Sequence, residues 1–244
     1  LHLLSRRQRQ MCIRDRMKGD AYMNLFDVLG PVMIGPSSSH TAGAVRIGYV
    51  TRKLLGERPV QADILLHGSF AATGSGHGTD RAVVAGLLGY QPDDLRIPDS
   101  FSQAEAAGLQ FEIAYGTIRG AHPNTVKLHV IGEAGNQLEV VGASIGGGRI
   151  RICEIDGIRT NFSGEHNTMI VHNMDTPGHV AQVTTVLAQK NVNIASMQLY
   201  RNTKGGYAVM IIECDDAIPE NMINWLQDLD GMIKITSYNT EEAL

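Results

Sequence analysis

The last third of the chain carries the pattern that most restricts its fold. Alternating or apolar runs predict strands at Thr168–His172, Val192–Arg201, Tyr207–Glu213 and Met232–Tyr238. Helical patterns begin at Pro177, running to about Lys190, and at Pro219, running to Leu229. The order β-α-β-β-α-β within about 75 residues is typical of the ferredoxin-like fold.

Helix and strand patterns also alternate between Met23 and Ile158, around turns rich in glycine. They predict helices at Thr41–Leu55, Asp80–Leu88 and Phe101–Gly108. They predict strands at Ala62–His67, Phe111–Tyr115, Thr125–Ile131, Gln137–Gly142 and Gly148–Ile155. The polar, turn-rich segment Gly157–Asn167 separates the two regions. We therefore expect an α/β (α+β) chain with one domain at 23–158, a linker at 159–167 and a second domain at 168–244.

The first 22 residues differ from the rest in composition, because six arginine and lysine residues accompany only two aspartates. They lack the long apolar stretch and cleavage site of a secretory signal. The run Met11–Arg16, MCIRDR, resembles translated adapter DNA. We expect Leu1–Tyr22 to be a non-native extension, with the natural start at Met23 or Met17. A basic, disordered arm is the alternative interpretation.

Composition argues against two classes of partner. The net charge is −4, so the chain has no overall positive field that would attract nucleic acid. No apolar run approaches the roughly 20 residues that a membrane span requires. The three cysteines, Cys12, Cys153 and Cys214, are far apart and form no CxxC pair. We therefore expect no metal site within this chain, and a reducing, cytoplasmic location.

The segment Gly35–Gly43 reads GPSSSHTAG and precedes a predicted helix. The N-terminus of a helix exposes unpaired N–H groups and carries partial positive charge, which stabilises a carboxylate or phosphate. The hydroxyl groups of Ser37, Ser38 and Ser39 add donors. An ordinary helix cap explains one hydroxyl, but three with His40 exceed that need and favour an anion site.

The segment His67–Asp80 reads HGSFAATGSGHGTD and runs from a strand end into a helix. Ligands of open α/β sheets bind at that position. A single histidine here would be an ordinary surface residue, but His67 and His77 together, with flanking Thr and Asp, favour function. Asp80 also fits the role of a helix cap.

Two further polar clusters carry less information. The segment His122–Thr125, HPNT, contains residues that are common in turns. The segment Ser144–Arg149, SIGGGR, would bring backbone close to another group, although a bulge or turn explains it equally well. The chain contains no GxSxG elbow, HExxH helix or dinucleotide-binding GxGxxG after a strand, so those enzyme classes are not indicated.

The segment Asn173–Ala181, NMDTPGHVA, leads from the first strand of the second region into its first helix. Pro177 suits a first helical position and Asp175 suits the positive end of a helix. The turn can present N–H groups to a ligand carboxylate, or it can be a well-capped helix start without a ligand. Chemistry alone leaves these two interpretations open.

Taken together, GPSSSHTAG, HGSFAATGSGHGTDRA, HPNT and SIGGGRI resemble the β subunit of bacterial iron–sulfur-dependent L-serine dehydratase (L-serine ammonia-lyase) of the two-subunit type. The similarity runs from about Met23 to the C-terminus. The C-terminal region resembles an ACT domain, a small-ligand regulatory module. The first region also resembles the allosteric substrate-binding domain attached to some phosphoglycerate dehydrogenases.

The resemblance implies deamination of L-serine to pyruvate and ammonia, with a [4Fe–4S] cluster ligated by an α subunit. It implies roles in catalysis for His40, His67, His77 and Asp80. It implies a substrate pocket formed by Ser37, Ser38, Ser39, Thr41, Thr73, Gly74, Thr79, His122 and Asn124. In the ACT module it implies either dimerisation or a regulatory ligand at Asp175, Pro177, Gly178 and His179.

Two points stay open at the level of the sequence. The base that abstracts the substrate proton has no assignment, and it can belong to the other subunit. A non-catalytic sensor, in which an anion-binding domain and an ACT module regulate an attached enzyme such as a phosphoglycerate dehydrogenase, is the alternative function. A sensor needs donors for a carboxylate, but it does not need His40, His67 and His77 together.

Overall fold

The computed structural model describes residues 31–240. The predicted extension Leu1–Tyr22 lies outside the described residues, so its status stays a prediction. Within 31–240, no helix combines the length and the apolar composition needed to cross a membrane.

Three helical segments accompany the three predicted helices of the first region: a π-helical turn, a nine-residue helix and a 3₁₀ turn. A π-helical turn, Ser38–Ala42, leads directly into helix α1, Gly43–Leu55, which ends at Gly56 with a left-handed φ of 78°. Helices α2, Ser69–His77, and α3, Thr79–Leu87, follow. A 3₁₀ turn, Ile97–Asp99, precedes helix α4, Ser100–Ala106.

Six strands of the first region form one sheet in the order β2-β1-β3-β4-β5-β6. Strands β1 and β2 are parallel and the other neighbours are antiparallel. The strands are β1 Pro59–Gly68, β2 Gln110–Gly116, β3 Asn124–Gly132, β4 Gln137–Gly146, β5 Arg149–Ile155 and β6 Ile158–Phe162.

Four strands and two helices form the second region. The strands are β7 Asn167–Met174, β8 Ile194–Arg201, β9 Tyr207–Cys214 and β10 Met232–Tyr238, and the helices are α5 His179–Gln189 and α6 Glu220–Gln227. The antiparallel sheet has the order β10-β7-β9-β8. The predicted ferredoxin-like β-α-β-β-α-β arrangement is therefore confirmed.

Helices α1 and α3 cover one face of the six-stranded sheet. Strand alternation turns Ala62, Ile64 and Leu66 of β1 towards these helices, and all three side chains are buried. The helices cross at Gly48 and Gly86, where their backbones touch. This close crossing places the first residues of α1 beside the segment that joins α2 to α3.

The apolar core of the first sheet continues into the second region. Ile170, Val209 and Ile211 of the second sheet belong to the same buried cluster as the side chains of α1 and β1. Tyr238 of β10 meets Tyr49 of α1 edge-on, with ring centroids 6.4 Å apart. Consequently, one face of the second sheet packs on the first region and its other face packs on α5 and α6.

Three predicted features differ from the structure. The sequence predicts a linker at 159–167, but β6 occupies the first part of this segment and pairs with β5, because apolar residues alternate with polar ones at 158–162. The stretch after His67 is helical from Ser69 to His77, although it holds two glycines. Helix α5 begins at His179 instead of Pro177, because Gly178 has a φ of 107°.

Candidate functional site

The predicted motifs meet at one end of the six-stranded sheet. His67, at the end of β1, lies opposite Gly116 of β2 and Thr125 of β3. Thr125 in turn lies opposite Ala143 of β4. The strand pairing therefore brings three motifs to the same edge of the sheet: the start of HGSFAATGSGHGTD, the HPNT segment and the start of SIGGGR. A ligand site at strand ends is expected to have this arrangement.

The π-helical turn holds His40 by its backbone and its ring. Ser37 precedes the turn in an extended conformation, and its Oγ accepts a hydrogen bond from the His40 N–H at 3.1 Å. The ring Nδ1 lies 3.0 Å from Ser39 Oγ and 3.4 Å from Ser37 Oγ. On the other side of the ring, Nε2 lies 2.9 Å from Ser69 Oγ. His40 is therefore fixed between hydroxyl groups of two predicted motifs.

A second histidine lies against this ring. The rings of His40 and His77 have centroids 5.3 Å apart, and Phe70 meets His40 edge-on at the same separation. Partial burial, with a smaller contribution from His77, lowers the pKa of His40 below the ordinary value of 6.5. His40 is therefore a neutral imidazole at pH 7, with one ring nitrogen able to accept a proton.

Gly68 joins two of the motifs through a backbone contact. Its φ of 59° and ψ of −121° form a sharp turn between β1 and α2. A Cβ at this position would lie 2.5 Å from the Pro123 carbonyl oxygen, so the close approach requires glycine. The Ser69 N–H donates to that same carbonyl at 2.7 Å. HPNT therefore positions the serine that contacts His40.

The rings of His67 and His122 are oriented by the chain's own backbone. The Ile118 N–H donates to His67 Nδ1 at 3.0 Å, and the Asn124 N–H donates to His122 Nδ1 at 3.1 Å. Strand alternation places His67 on the opposite sheet face from Leu66, which is buried against the helices. The structure therefore brings His40 and His77 together and holds His67 on the other face.

The segment SIGGGR closes over the start of α1. Ser144 Oγ is fully buried and has no hydrogen-bond partner among residues 31–240. A Cβ on Gly43 would lie 2.1 Å from this oxygen, so glycine is required at the first residue of α1. Arg46 Nη1 donates to the Gly148 carbonyl at 3.1 Å and fixes the hairpin on the helix. The sequence left open whether SIGGGR is a turn or a place where the backbone approaches another group. In the structure it is the hairpin turn between β4 and β5, and it also lies in close contact with the start of α1.

A cavity of about 510 Å³ opens beside His77. His77, Asp80 and Arg81 provide its ionisable groups. Its remaining lining comes from Ile34, Gly35, Pro36, Thr41, Gly76, Gly78, Ile97, Pro98 and Phe101. The Thr41 hydroxyl donates to the His77 carbonyl at 3.4 Å, which links the GPSSSHTAG motif to the cavity wall. The cavity is large enough for a small amino acid.

Three of the predicted pocket residues belong to α2 and α3. The Thr73 hydroxyl donates to the Ser69 carbonyl one helical turn earlier, at 2.9 Å, and its side chain is exposed. Gly74 is buried, and the Thr79 hydroxyl is buried without a hydrogen-bond partner among residues 31–240. Asp80 does not cap α3; it lies in the first turn, and its Oδ1 accepts from the Arg81 N–H at 2.8 Å.

The turn of the second region uses its predicted ligand residues for internal contacts. Asp175 accepts from the Gly205 N–H at 3.0 Å and from Arg201 Nη1 at 2.9 Å, and these two hydrogen bonds lower the pKa of its carboxyl group. The buried His179 ring lies between two carbonyl groups, with Nδ1 2.8 Å from Met174 O and Nε2 3.0 Å from Asp230 O. Pro177 and Gly178 are exposed and stay the predicted ligand-facing part of this turn.

A second cavity, of about 430 Å³, lies between the end of α1 and the second region. It contains none of the predicted site residues. Its polar lining includes Arg52, Glu57, Glu220 and Asn224.

Sequence reasoning missed Ser69, Phe70 and Ile118 as contacts of the predicted histidines. The sequence shows Ser69 inside the HGSFAATG motif, but it shows no pairing between this serine and a histidine 29 residues earlier. The position of Ser69 depends on the Gly68 turn and on its contact with Pro123, both of which are tertiary features.

The described residues do not offer a metal site. No group of three or more His, Cys, Asp or Glu side chains within 31–240 is arranged to hold a metal ion. Cys153 lies on β5 and Cys214 lies on β9, in different sheets. Burial raises the pKa of both thiols, which disfavours the thiolate form that ligates iron. The residues described here therefore do not fit an iron–sulfur cluster.

Comparison with known proteins places these motifs in context. The family model described as "Serine dehydratase beta chain" matches residues 24–114, and the model described as "ACT domain" matches residues 168–231. The chain is 43% identical over 215 residues to the "Probable L-serine dehydratase, beta chain" of Bacillus subtilis, across 88% of this chain and 97% of that one. It is 39% identical over 198 residues to the "L-serine dehydratase, beta chain" of Peptoniphilus asaccharolyticus, across 81% and 89%. It is 25% identical over 191 residues to a D-3-phosphoglycerate dehydrogenase of Synechocystis sp., across 78% and 34%.

Proposed function

The chain belongs to the family of L-serine dehydratase beta chains, with a C-terminal ACT domain, and we propose that it is the beta subunit of an L-serine ammonia-lyase. The enzyme would convert L-serine to pyruvate and ammonia together with an alpha subunit. This chain would supply substrate-binding groups and proton-transfer groups. The relatives from Bacillus subtilis and Peptoniphilus asaccharolyticus are described as beta chains, and we therefore infer that a separate alpha chain exists.

The observation that carries this proposal is the environment of His40. Three serine hydroxyls surround its ring, a second histidine lies beside it, and its lowered pKa keeps it neutral at pH 7. Hydroxyl groups and helix N–H groups are donors for a substrate carboxylate. A neutral imidazole can accept a proton and return it. Both capacities are needed to remove a proton and a hydroxyl from serine.

In the proposed reaction, serine loses its α-proton and its β-hydroxyl, and the resulting enamine tautomerises and hydrolyses to pyruvate and ammonia. The hydroxyls of Ser37, Ser38 and Ser39 would hold the carboxylate, and His40 and His77 would accept or supply protons. His122, whose ring is held by a backbone N–H group, would present Nε2 to the reacting groups from the sheet end. His67 lies on the other sheet face, so a role for it in the reaction would require a reacting group on that face. We do not assign the base that removes the α-proton to this chain.

We assign the [4Fe–4S] cluster to the alpha subunit. The described residues of this chain lack a set of cysteine or other ligands for it. The part of the reaction that this chain performs is therefore limited to binding, orientation and proton transfer.

The test is to co-express the chain with its alpha partner without oxygen and to measure pyruvate release from L-serine. His40→Ala and His77→Ala should each lower turnover by about 100-fold or more, because positioned acid–base groups contribute rate factors of that size. His129→Ala is a matched control, since this histidine pairs with Asp63 on the open sheet face. Its variant should keep the original turnover. Unchanged turnover in both site variants would contradict the assignment.

The sensor function stays a second candidate, because the similarity to phosphoglycerate dehydrogenases spans 78% of this chain. It predicts ligand binding without turnover. If the anaerobic complex binds L-serine by calorimetry but releases no pyruvate, with its iron content verified, the sensor function replaces the lyase.

For the ACT domain we propose either a regulatory ligand at the Asp175–His179 turn or dimerisation. Calorimetry with L-serine on the full chain, compared between the original and Pro177→Ala proteins, distinguishes these roles when combined with sedimentation. A change in binding heat supports the ligand. Dimers without any Pro177-dependent heat support the structural role.

A further inference from the structure

Ser69 is a residue of this site whose hydroxyl contacts a histidine and not the backbone of the helix that it begins. It is the first residue of α2, a helix whose N-cap, Gly68, provides no side-chain capping bond. Its N–H is used by the Pro123 carbonyl. Within 31–240, the hydrogen-bond partner of its Oγ is His40 Nε2, at 2.9 Å. The side chain is half-buried, so a small molecule can reach it.

His40 is in turn oriented by a third group. Its Nδ1 lies 3.0 Å from Ser39 Oγ, on the opposite side of the ring from Ser69. A neutral imidazole has one N–H and one lone pair. When Nδ1–H donates to Ser39 Oγ, the Nε2 lone pair accepts the hydroxyl proton of Ser69. A hydroxyl, a base within hydrogen-bond reach and a third group that orients the base are the general features of an activated nucleophile.

We propose that Ser69, His40 and Ser39 form a nucleophile, base and orienting group, and that Ser69 accepts the acyl group of small activated carboxylic esters. Ser69 Oγ forms a bond to the ester carbonyl carbon while its proton passes to His40 Nε2. The bond between that carbon and the leaving oxygen breaks, and the proton is released with the leaving group or to solvent. Water then attacks the acyl-serine with His40 as base, which releases the carboxylic acid and restores Ser69.

The surroundings of Ser69 favour this step. The sharp turn at Gly68 presents Ser69 at the junction of a strand and a helix. The N–H groups that follow Ser69 in the first turn of α2 lack intrahelical acceptors, and such groups can stabilise developing negative charge. Phe70 packs on the His40 ring and holds it against the serine. The proposal concerns this chain alone and does not depend on an alpha subunit or on serine deamination.

The experiment exposes the purified full chain to p-nitrophenyl acetate. We expect a burst of p-nitrophenolate of at most one equivalent per chain, and an acetyl group on the proteolytic peptide that contains Ser69. Ser69→Ala and His40→Ala should each slow acetylation of that peptide by about 100-fold or more. The acetylation rate of the Ser69 peptide should rise with pH to a plateau as the lone pair of His40 becomes available. The midpoint of this rise should lie below pH 6.5, because burial lowers the pKa of His40.

Two variants serve as controls. Ser102→Ala removes an exposed serine whose hydroxyl donates to the Asp99 carbonyl, and it should leave the burst unchanged. Ser69→Cys keeps a nucleophile at the position, so it should be acetylated on the same peptide even if Ser69→Ala fails to fold. Acetylation confined to other peptides, or no acetylation in both the original chain and Ser69→Cys, would overturn the proposal. Neither result would affect the lyase assay, so the two proposals fail separately.

Discussion

The crossing of α1 and α3 predicts a large loss of stability from adding a single methyl group. Gly86 of α3 lies against the backbone of α1 with no intervening side chain. A Cβ at Gly86 would lie 2.1 Å from the Val45 carbonyl oxygen and 2.6 Å from the Tyr49 nitrogen. Both contacting atoms are backbone atoms of a helix, so neither can move by a side-chain rotation. Gly86→Ala therefore forces the two helices apart.

Two opposing effects determine the size of the change. Alanine raises helix propensity by about 1 kcal/mol relative to glycine. Overpacking in a close-packed interior costs about 1–3 kcal/mol and sometimes more. Contacts at these two distances with rigid atoms correspond to the upper part of that range. We expect a net loss of about 2 kcal/mol in the free energy of unfolding, and a melting temperature lower by about 4–8 °C for a chain of this length.

Urea unfolding followed by circular dichroism measures this difference. Gly76→Ala is the matched control, because Gly76 is also helical but a Cβ there meets no atom within 4 Å. That variant should keep its stability or gain up to about 1 kcal/mol. A Gly86→Ala protein as stable as the original would show that α1 and α3 do not cross at this distance. The same result would remove the argument that their crossing positions His40 against His77.

Three further outcomes follow from the structure. Burial lowers the pKa of His172 to about 4, while the imidazole in the unfolded chain titrates near pH 6.5. The contribution of this group to the free energy of unfolding is therefore complete above pH 6.5 and falls by about 3 kcal/mol as the pH approaches 4. Urea unfolding at a series of pH values should show this slope, and His172→Gln should flatten it. Gly68→Ala should lower pyruvate release by about 100-fold with the fold retained by circular dichroism, because its Cβ would displace Pro123 and with it the site. Asn239→Ala should lower the free energy of unfolding in urea by about 1–3 kcal/mol, because the Asn239 amide pairs with both backbone groups of Ile218. A loss of less than about 0.3 kcal/mol would contradict this role.

The sequence was sufficient for most of the fold because hydrophobic period and turn residues act locally. Gly56 follows the periodic run of α1 and ends that helix with a φ of 78°. Gly89 lies just after α3 and has a φ of 92°, as its position after a periodic run predicts. The second region was recognisable because its apolar runs alternate with two helical patterns. Strand β6 was missed because its five residues lie between turn signals, and tertiary pairing with β5 decides its conformation.

Prediction of the site was less complete, for reasons that are also physical. The motifs indicated candidate site residues. In the structure, His40 lies against His77, and the cavity beside His77 is lined by Thr41 and Asp80 as well. Local sequence did not indicate that His67 faces away from His40, because that depends on the strand register through Leu66. It also gave no indication of the contact between Ser69 and His40, which spans 29 residues and depends on the turn at Gly68.

The two sequence regions do not behave as independent folding units, because they share one core. Tyr238 of the ACT sheet contacts Tyr49 of α1 and also Phe162 of β6, with ring centroids 6.4 Å and 6.3 Å apart. Removing the second region would expose these rings and the apolar face that Ile170 and Ile211 cover. Burial of each such side chain is worth about 1.5–3 kcal/mol, a large share of the 5–15 kcal/mol that stabilises a typical domain. Fragments cut between β6 and β7 therefore lose stability on both sides of the cut, and α1, which begins beside His40, depends on the ACT sheet for part of its packing.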